Sequence, residues 1–203
     1  MEVRFPSDGN LLVAEVVRPP LRADVTRAPA LVLAHGYPSD VQHSAMVASA
    51  LPELAERIAT EMGWVTLALA FRGCGESEGS FSLRGWLDDL LAAVDYLDAN
   101  EQVSGVWLAG FGTGGAIAIC AAAAQVRIRG VAALGAPADF DDWASHPKRL
   151  LEHSREVGMI RTPGFPEDPE SWVQELKDLR AVAHAPALAP RPLLVVHGSD
   201  DDL

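Results

Sequence analysis

The sequence predicts one α/β domain, a mainly parallel sheet with helices on both faces, and three observations predict it. Short apolar runs without polar alternation recur at residues 30–34, 64–71, 106–109, 130–135 and 193–196, a pattern suited to strands buried on both faces. Stretches of helical periodicity lie between them. Residues 108–115, Leu-Ala-Gly-Phe-Gly-Thr-Gly-Gly, then run from one such strand through a glycine turn into an alanine-rich helix. Strands alternating with helices point to a doubly wound sheet.

Each element has its own signal. Residues 2–6 and 11–18 are β-rich and flank Ser7-Asp8-Gly9-Asn10, which predicts an opening hairpin. Leu51, Leu54, Ala55, Ile58 and Met62 recur at helical spacing, as do Leu87, Leu90, Leu91, Val94 and Leu97, with Asp88, Asp89 and Asp95 expected on the wet side. These stripes are core packing and are assigned no chemistry. Between Pro137 and Pro190 the alternation gives way to two predicted helices, 141–157 and 170–182, split by Thr162-Pro163-Gly164-Phe165-Pro166. An insertion of this length is either an elaboration of the domain over residues 1–203 or a lid. The sequence leaves both open.

Composition narrows the function classes. The chain has 203 residues, 49% of them hydrophobic, enough for one sizeable core without disulfide staples. A formal net charge of -12 repels phosphate backbones and anionic lipid, so neither nucleic acid nor a membrane is the expected partner. Residues 1–10 lack a basic region followed by an apolar core, and the small-apolar stretch 116–124 is too short to span a bilayer. The two cysteines, Cys74 and Cys120, fit a reducing compartment. A cytoplasmic protein is the expectation. No His/Cys spacing suggests a metal and Asp200–Asp202 alone is too little, so neither a metal nor a cofactor is expected.

Two motifs fit the glycine cluster. Gly110, Gly112 and Gly115 satisfy G-x-G-x-x-G, whose glycines would let backbone approach a pyrophosphate at a helix N-terminus. That motif also requires an acidic residue at the end of the next strand, and the nearest candidate, Asp139, lies past Ala136-Pro137. Alternatively, Gly110 and Gly114 are the flanking glycines of a nucleophile elbow, G-x-S-x-G, with Gly112 in the serine slot.

Three further motifs favour the elbow. His35-Gly36-Tyr37-Pro38 closes a buried strand. The segment Phe71-Arg72-Gly73-Cys74-Gly75-Glu76-Ser77 has the form R-G-x-G-x-S, and His197-Gly198-Ser199-Asp200-Asp201-Asp202 follows the last strand. In this order the motifs resemble the α/β-hydrolases, closest to the esterase and serine-aminopeptidase-like branch, over essentially the whole chain. The resemblance implies an ancestral activity on small esters or amides. It places the triad acid at Asp201 and the oxyanion-binding backbone N–H groups at Tyr37 and Thr113. It also places glycine, Gly112, where the family carries its serine.

The family order is nucleophile, acid, histidine, and no histidine follows Asp201. The expectation is a fragment of a longer product lacking the last strand and helix, with residues 193–196 as an edge strand. His35 and His197 belong to turns, and His146, His153 and His184 to the insertion surface. His43 is read as a solvated loop residue. Ser77 reads as a turn former, and neither Cys74 nor Thr113 is expected to replace the serine. The leading expectation is an impaired or inactive hydrolase. A non-catalytic binder of a small ester- or amide-like ligand is the alternative, followed by a hydrolase using activated water and, last, a dinucleotide-binding protein.

Overall fold

The computed structural model describes residues 1–20 and 27–199, with the backbone alone at 41–50. A hairpin opens the chain: β1 (Glu2–Ser7) and β2 (Asn10–Val17) meet at Asp8-Gly9, in register from Glu2↔Glu15 to Ser7↔Asn10. Then β3 (Ala28–Ala34), α1 (Val41–Met62), β4 (Val65–Ala70), α2 (Leu83–Asn100), β5 (Val103–Phe111), α3 (Thr113–Ala124), β6 (Ile128–Leu134) and β7 (Leu193–Val196) alternate strand and helix. The sheet order is β1-β2-β4-β3-β5-β6-β7. Both pairings of β2 are antiparallel, and β4, β3, β5, β6 and β7 run parallel. The fold class read from the sequence is the one observed.

Residue type follows depth. Residues 65–69 of β4 are buried in succession, the mark of a strand covered on both faces. Helix α3 is buried from Thr113 through Ala122, which explains its alanines: it lies against β5 and β6 with α2 and the short helix Ala181–His184 beside it, and larger side chains would hold these elements apart. Helix α2 starts at Ser82, whose Oγ accepts the Gly85 N–H at 3.0 Å.

Two expectations about exposure are corrected. Asp89 is fully buried instead of facing water. It lies three residues after Trp86 and four before Ala93, both at 0% exposure, so helical geometry turns it inward, where Arg72 meets it. Met62, read as part of the apolar stripe, is exposed: the stripe that α1 buries runs through Leu51, Ala55 and Ala59.

The insertion between β6 and β7 holds four short helices, α4 (Asp141–Ser145), α5 (Pro147–Glu156), α6 (Pro169–Asp178) and α7 (Ala181–His184), then a 3₁₀ turn over Ala185–Leu188. The helix expected over 141–157 is two helices. Pro147 cannot continue the first, lacking an N–H, but starts the second in the position proline favours. The second expected helix likewise breaks, at Leu179 and Arg180. Ser80 Oγ accepts the N–H groups of Arg161 and Thr162 and donates to Thr162 Oγ1. Trp172 Nε1 donates to the Phe81 carbonyl, and the Glu175 carboxylate accepts the Arg84 N–H. The insertion is therefore fastened to the segment between β4 and α2.

Strand β7 lies at the sheet edge, paired with β6, and exposes Leu194, Val195 and Val196. Among the described residues no helix is long and apolar enough to cross a membrane.

Candidate functional site

The carboxyl ends of the central strands lie level: Ala34 pairs with Gly110, and Phe111 with Leu134. Strand β3 leads away toward β4 on one side, and β5 toward β6 on the other. A crevice opens where the chain diverges, the usual ligand site of such sheets. Gly36-Tyr37 and Gly112-Thr113 meet there.

Gly112 is the corner between β5 and α3, with φ 52° and ψ -124°. Its N–H donates to the Leu134 carbonyl at 2.8 Å, and its carbonyl accepts from Gly115 and Ala116. Glycine takes this backbone conformation without the penalty a side chain would bring. Space is a separate matter, and it distinguishes the glycines. A Cβ on Gly110 would stand 2.4 Å from the Gly114 carbonyl, and one on Gly114 would stand 2.2 Å from the His35 oxygen. A Cβ on Gly112 would meet only the Gly36 Cα, at 3.7 Å. The flanking glycines are needed so that strand, helix and the His35 turn can touch. The middle position is sterically open.

It opens onto a cavity of about 650 Å³ lined by Gly36, Tyr37, Ser39, Gly112, Thr113, Pro137, Ala138, Phe140 and Trp143, with the carboxylates of Asp139 and Asp142. Asp139 pairs with Arg180 at 3.0 Å, and the same guanidinium holds Asp141 at 2.6 Å. A second hollow of about 510 Å³ adjoins, sharing Tyr37, Ser39, Asp142 and Trp143 with the first. The sequence reading missed Phe140 and Trp143. Their signal is two aromatic residues three apart in the first residues of the insertion.

His35 is buried and structural. Its Nε2 accepts the Phe71 N–H at 3.3 Å, so Nδ1 carries the proton and donates to the Gly36 carbonyl at 2.9 Å. Burial pulls its pKa down to about 4, keeping the ring neutral while it braces the Gly36 turn. Tyr37 follows that turn; its phenol is pushed up to about 12 by burial and meets Ser154 Oγ at 2.8 Å. Thr113 is buried at the first position of α3, where helix geometry leaves the N–H without an intrahelical acceptor.

The remaining candidates among the described residues do not line the cavity beside Gly112. Ser77 is a structural pin: its Oγ donates to the Ala70 carbonyl at 2.6 Å and accepts the Val13 N–H. Cys74 is buried, its thiol pushed up to about 12 by that burial. His146 pairs with Asp142. His153 is half-buried, its ring on Tyr37, instead of lying free at the surface. His184 ends α7, and His197 follows β7. Asp200 and Asp201 lie outside the described residues, as does the side chain of His43. Among the described residues no group of three His, Cys, Asp or Glu side chains could hold a metal.

A model of the alpha/beta hydrolase family matches residues 31–202. The chain belongs to that family. No curated protein matches it in sequence. Among solved structures, this hydrolase-family chain is similar to Est1E from Butyrivibrio proteoclasticus with ferulic acid bound, at 23% identity and a TM-score of 0.69, over 97% of this chain and 78% of that one. It is similar to the alpha/beta hydrolase GrgF from Penicillium sp. sh18, at 21% identity and a TM-score of 0.71, over 98% and 80%. The Pyrococcus furiosus esterase Pf2001 matches at 20% identity and a TM-score of 0.63, over 96% and 68%. At such identities the likeness concerns the fold. Membership of the family sets aside the dinucleotide reading, and the geometry agrees. Asp139, the acid that reading needs at the end of a strand, lies beyond β6 and is held by Arg180.

Proposed function

We propose that this hydrolase-family protein binds a small ester- or amide-like molecule in the cavity beside Gly112 without forming an acyl-enzyme. The observation that carries this reading is the corner itself. Its φ of 52° and its place on a 650 Å³ cavity are those a nucleophile would need, and it carries no side chain. The backbone N–H groups of Tyr37 and Thr113 remain to receive a carbonyl oxygen, since they depend on no side chain. The aromatic walls Tyr37, Phe140 and Trp143 suit an apolar acyl or aryl group. The ferulic acid of Est1E is a ligand of that chemical kind. Asp201 would be the acid of the ancestral triad.

The test is direct. The purified protein is incubated with p-nitrophenyl esters and with a serine-directed phosphonate, and screened for melting shifts against neutral aryl and alkyl amides. No turnover, no label and a ligand-dependent shift are expected. Turnover at ordinary enzyme rates together with phosphonate labelling would overturn the reading.

A further inference from the structure

The side chain of Tyr37 does not point along its own loop. It crosses to the insertion, where its hydroxyl meets Ser154 Oγ at 2.8 Å. Ser154 itself is fully buried on α5, and its Oγ donates to the Leu150 carbonyl at 2.7 Å. That bond uses the only serine proton, so the phenol is the donor and Ser154 the acceptor.

The acceptor is rigidly mounted. The Ser154 carbonyl takes the N–H groups of Met159 and Ile160, closing the end of α5, and the Met159 carbonyl takes the Phe81 N–H at 2.9 Å. The post that holds Tyr37 is thereby tied to the segment ahead of α2. The ring is held on its sides as well: Trp143 stands 4.8 Å away between centroids, Phe81 5.1 Å and His153 5.7 Å.

Tyr37 and Trp143 line both hollows, the 650 Å³ cavity beside Gly112 and the 510 Å³ one on α4 and α5. Their rings are common wall between the two. We infer that the Tyr37–Ser154 hydrogen bond keeps this wall closed. Ser154, a residue of the insertion, thereby sets how long a ligand beside Gly112 can be. This rests on the reading that the cavity beside Gly112 is the ligand site. With the bond in place a ligand ends at the Tyr37 ring. Without it the phenol has no acceptor, the ring swings, and the two hollows become one longer channel.

The experiment uses the full chain and a homologous series of uncharged N-methyl amides of straight-chain acids, from two to fourteen carbons, with affinities measured by calorimetry. The wild type shows affinity rising with length and then falling past a cut-off. Ser154→Ala and Tyr37→Phe each move the cut-off two or more carbons longer and bind the first over-long amide about tenfold tighter than the wild type does. Ser154→Thr, which keeps the hydroxyl, retains the wild-type cut-off. In parallel, the protein is labelled with 3-fluorotyrosine. It has two tyrosines, so Tyr96→Phe assigns the Tyr37 ¹⁹F resonance, which shifts in Ser154→Ala and not in Ser154→Thr. A cut-off and a Tyr37 resonance that are the same in wild type and Ser154→Ala overturn the inference while leaving the ligand site intact. If no amide binds any variant, the reading of the ligand site fails first and this one with it.

Discussion

The carboxylate of Asp89 and the guanidinium of Arg72 lie 2.8 Å apart in the interior, the first fully buried and the second 8% exposed. The Arg72 N–H also donates to Asp89, at 2.8 Å, and so does Ser7 Oγ, at 2.7 Å. One carboxylate thus joins the opening hairpin, the segment after β4 and helix α2. Asp89→Ala should cost about 3–5 kcal/mol, because it leaves a buried guanidinium that cannot deprotonate with only the exposed Asp8 carboxylate, at 3.4 Å, as counter-ion. Replacing the pair together, Arg72→Met with Asp89→Leu, should cost less than the single change, since no charge is left without a partner. Urea unfolding of the three variants reads this out. An Asp89→Ala midpoint equal to that of the wild type would mean the pair is not a structural joint.

The glycine corner makes opposite predictions for neighbouring positions. Gly112→Ser has room, its Cβ meeting only the Gly36 Cα at 3.7 Å. It should fold with a loss of roughly 1–3 kcal/mol, the cost of holding a side-chain-bearing residue at this φ. Gly114→Ala would drive a methyl group to 2.2 Å from the His35 carbonyl, and should fail to reach the native state. Melting curves separate the two. Equal stability of both variants would show that the corner is not built as described.

What the sequence revealed follows from which physical signals are local. Strand runs, the glycine turn and the motif order were legible because burial on both faces and close backbone approach dictate residue type directly. Leu87, Leu90, Val94 and Leu97 show on α2 as a stripe, and all four are buried, whereas Asp89 reads as solvent-facing by its type. Its partner Arg72 is distant in sequence, and only the folded chain brings them together. The helix break at His146-Pro147 was missed for a related reason: proline marks helix starts as well as ends, and the apolar pattern on either side stays in phase. Phe140 and Trp143 reach the cavity, and Ser154 reaches the Tyr37 hydroxyl, through the path of the insertion, which nothing local specifies.

His35 ties stability to pH. Its pKa is about 4 in the folded protein against about 6.5 unfolded, so between these values the unfolded chain binds a proton that the folded one refuses. Stability from this group therefore falls as pH drops from about 6.5 to about 4, by roughly 3 kcal/mol in all. NMR titration of the imidazole carbons should show one histidine still neutral at pH 5, absent from the spectrum of His35→Gln. A His35 resonance titrating near 6.5 would contradict the buried, Gly36-bracing ring.

Cys74 tests the vacancy at Gly112 from another side. The loop carrying it follows β4, at the same end of the parallel sheet as the Gly112 corner, so a reactive thiol there would be the natural rival nucleophile. Burial opposes it, pushing the Cys74 thiol up to about 12, with Asp89 adding to the rise and Arg161 opposing it. Cys120 on α3 is likewise pushed up to about 12 by burial. At pH 8 the thiolate fraction at each would be about one in ten thousand, and the thiolate is the reacting species. Iodoacetamide should therefore leave both cysteines of the native protein unmodified over an hour, while in concentrated urea both react within minutes, as intact mass would record. Rapid native alkylation of Cys74, with loss of ligand-induced melting shifts, would place a thiol in the cavity and end the argument that this site has nothing to attack with.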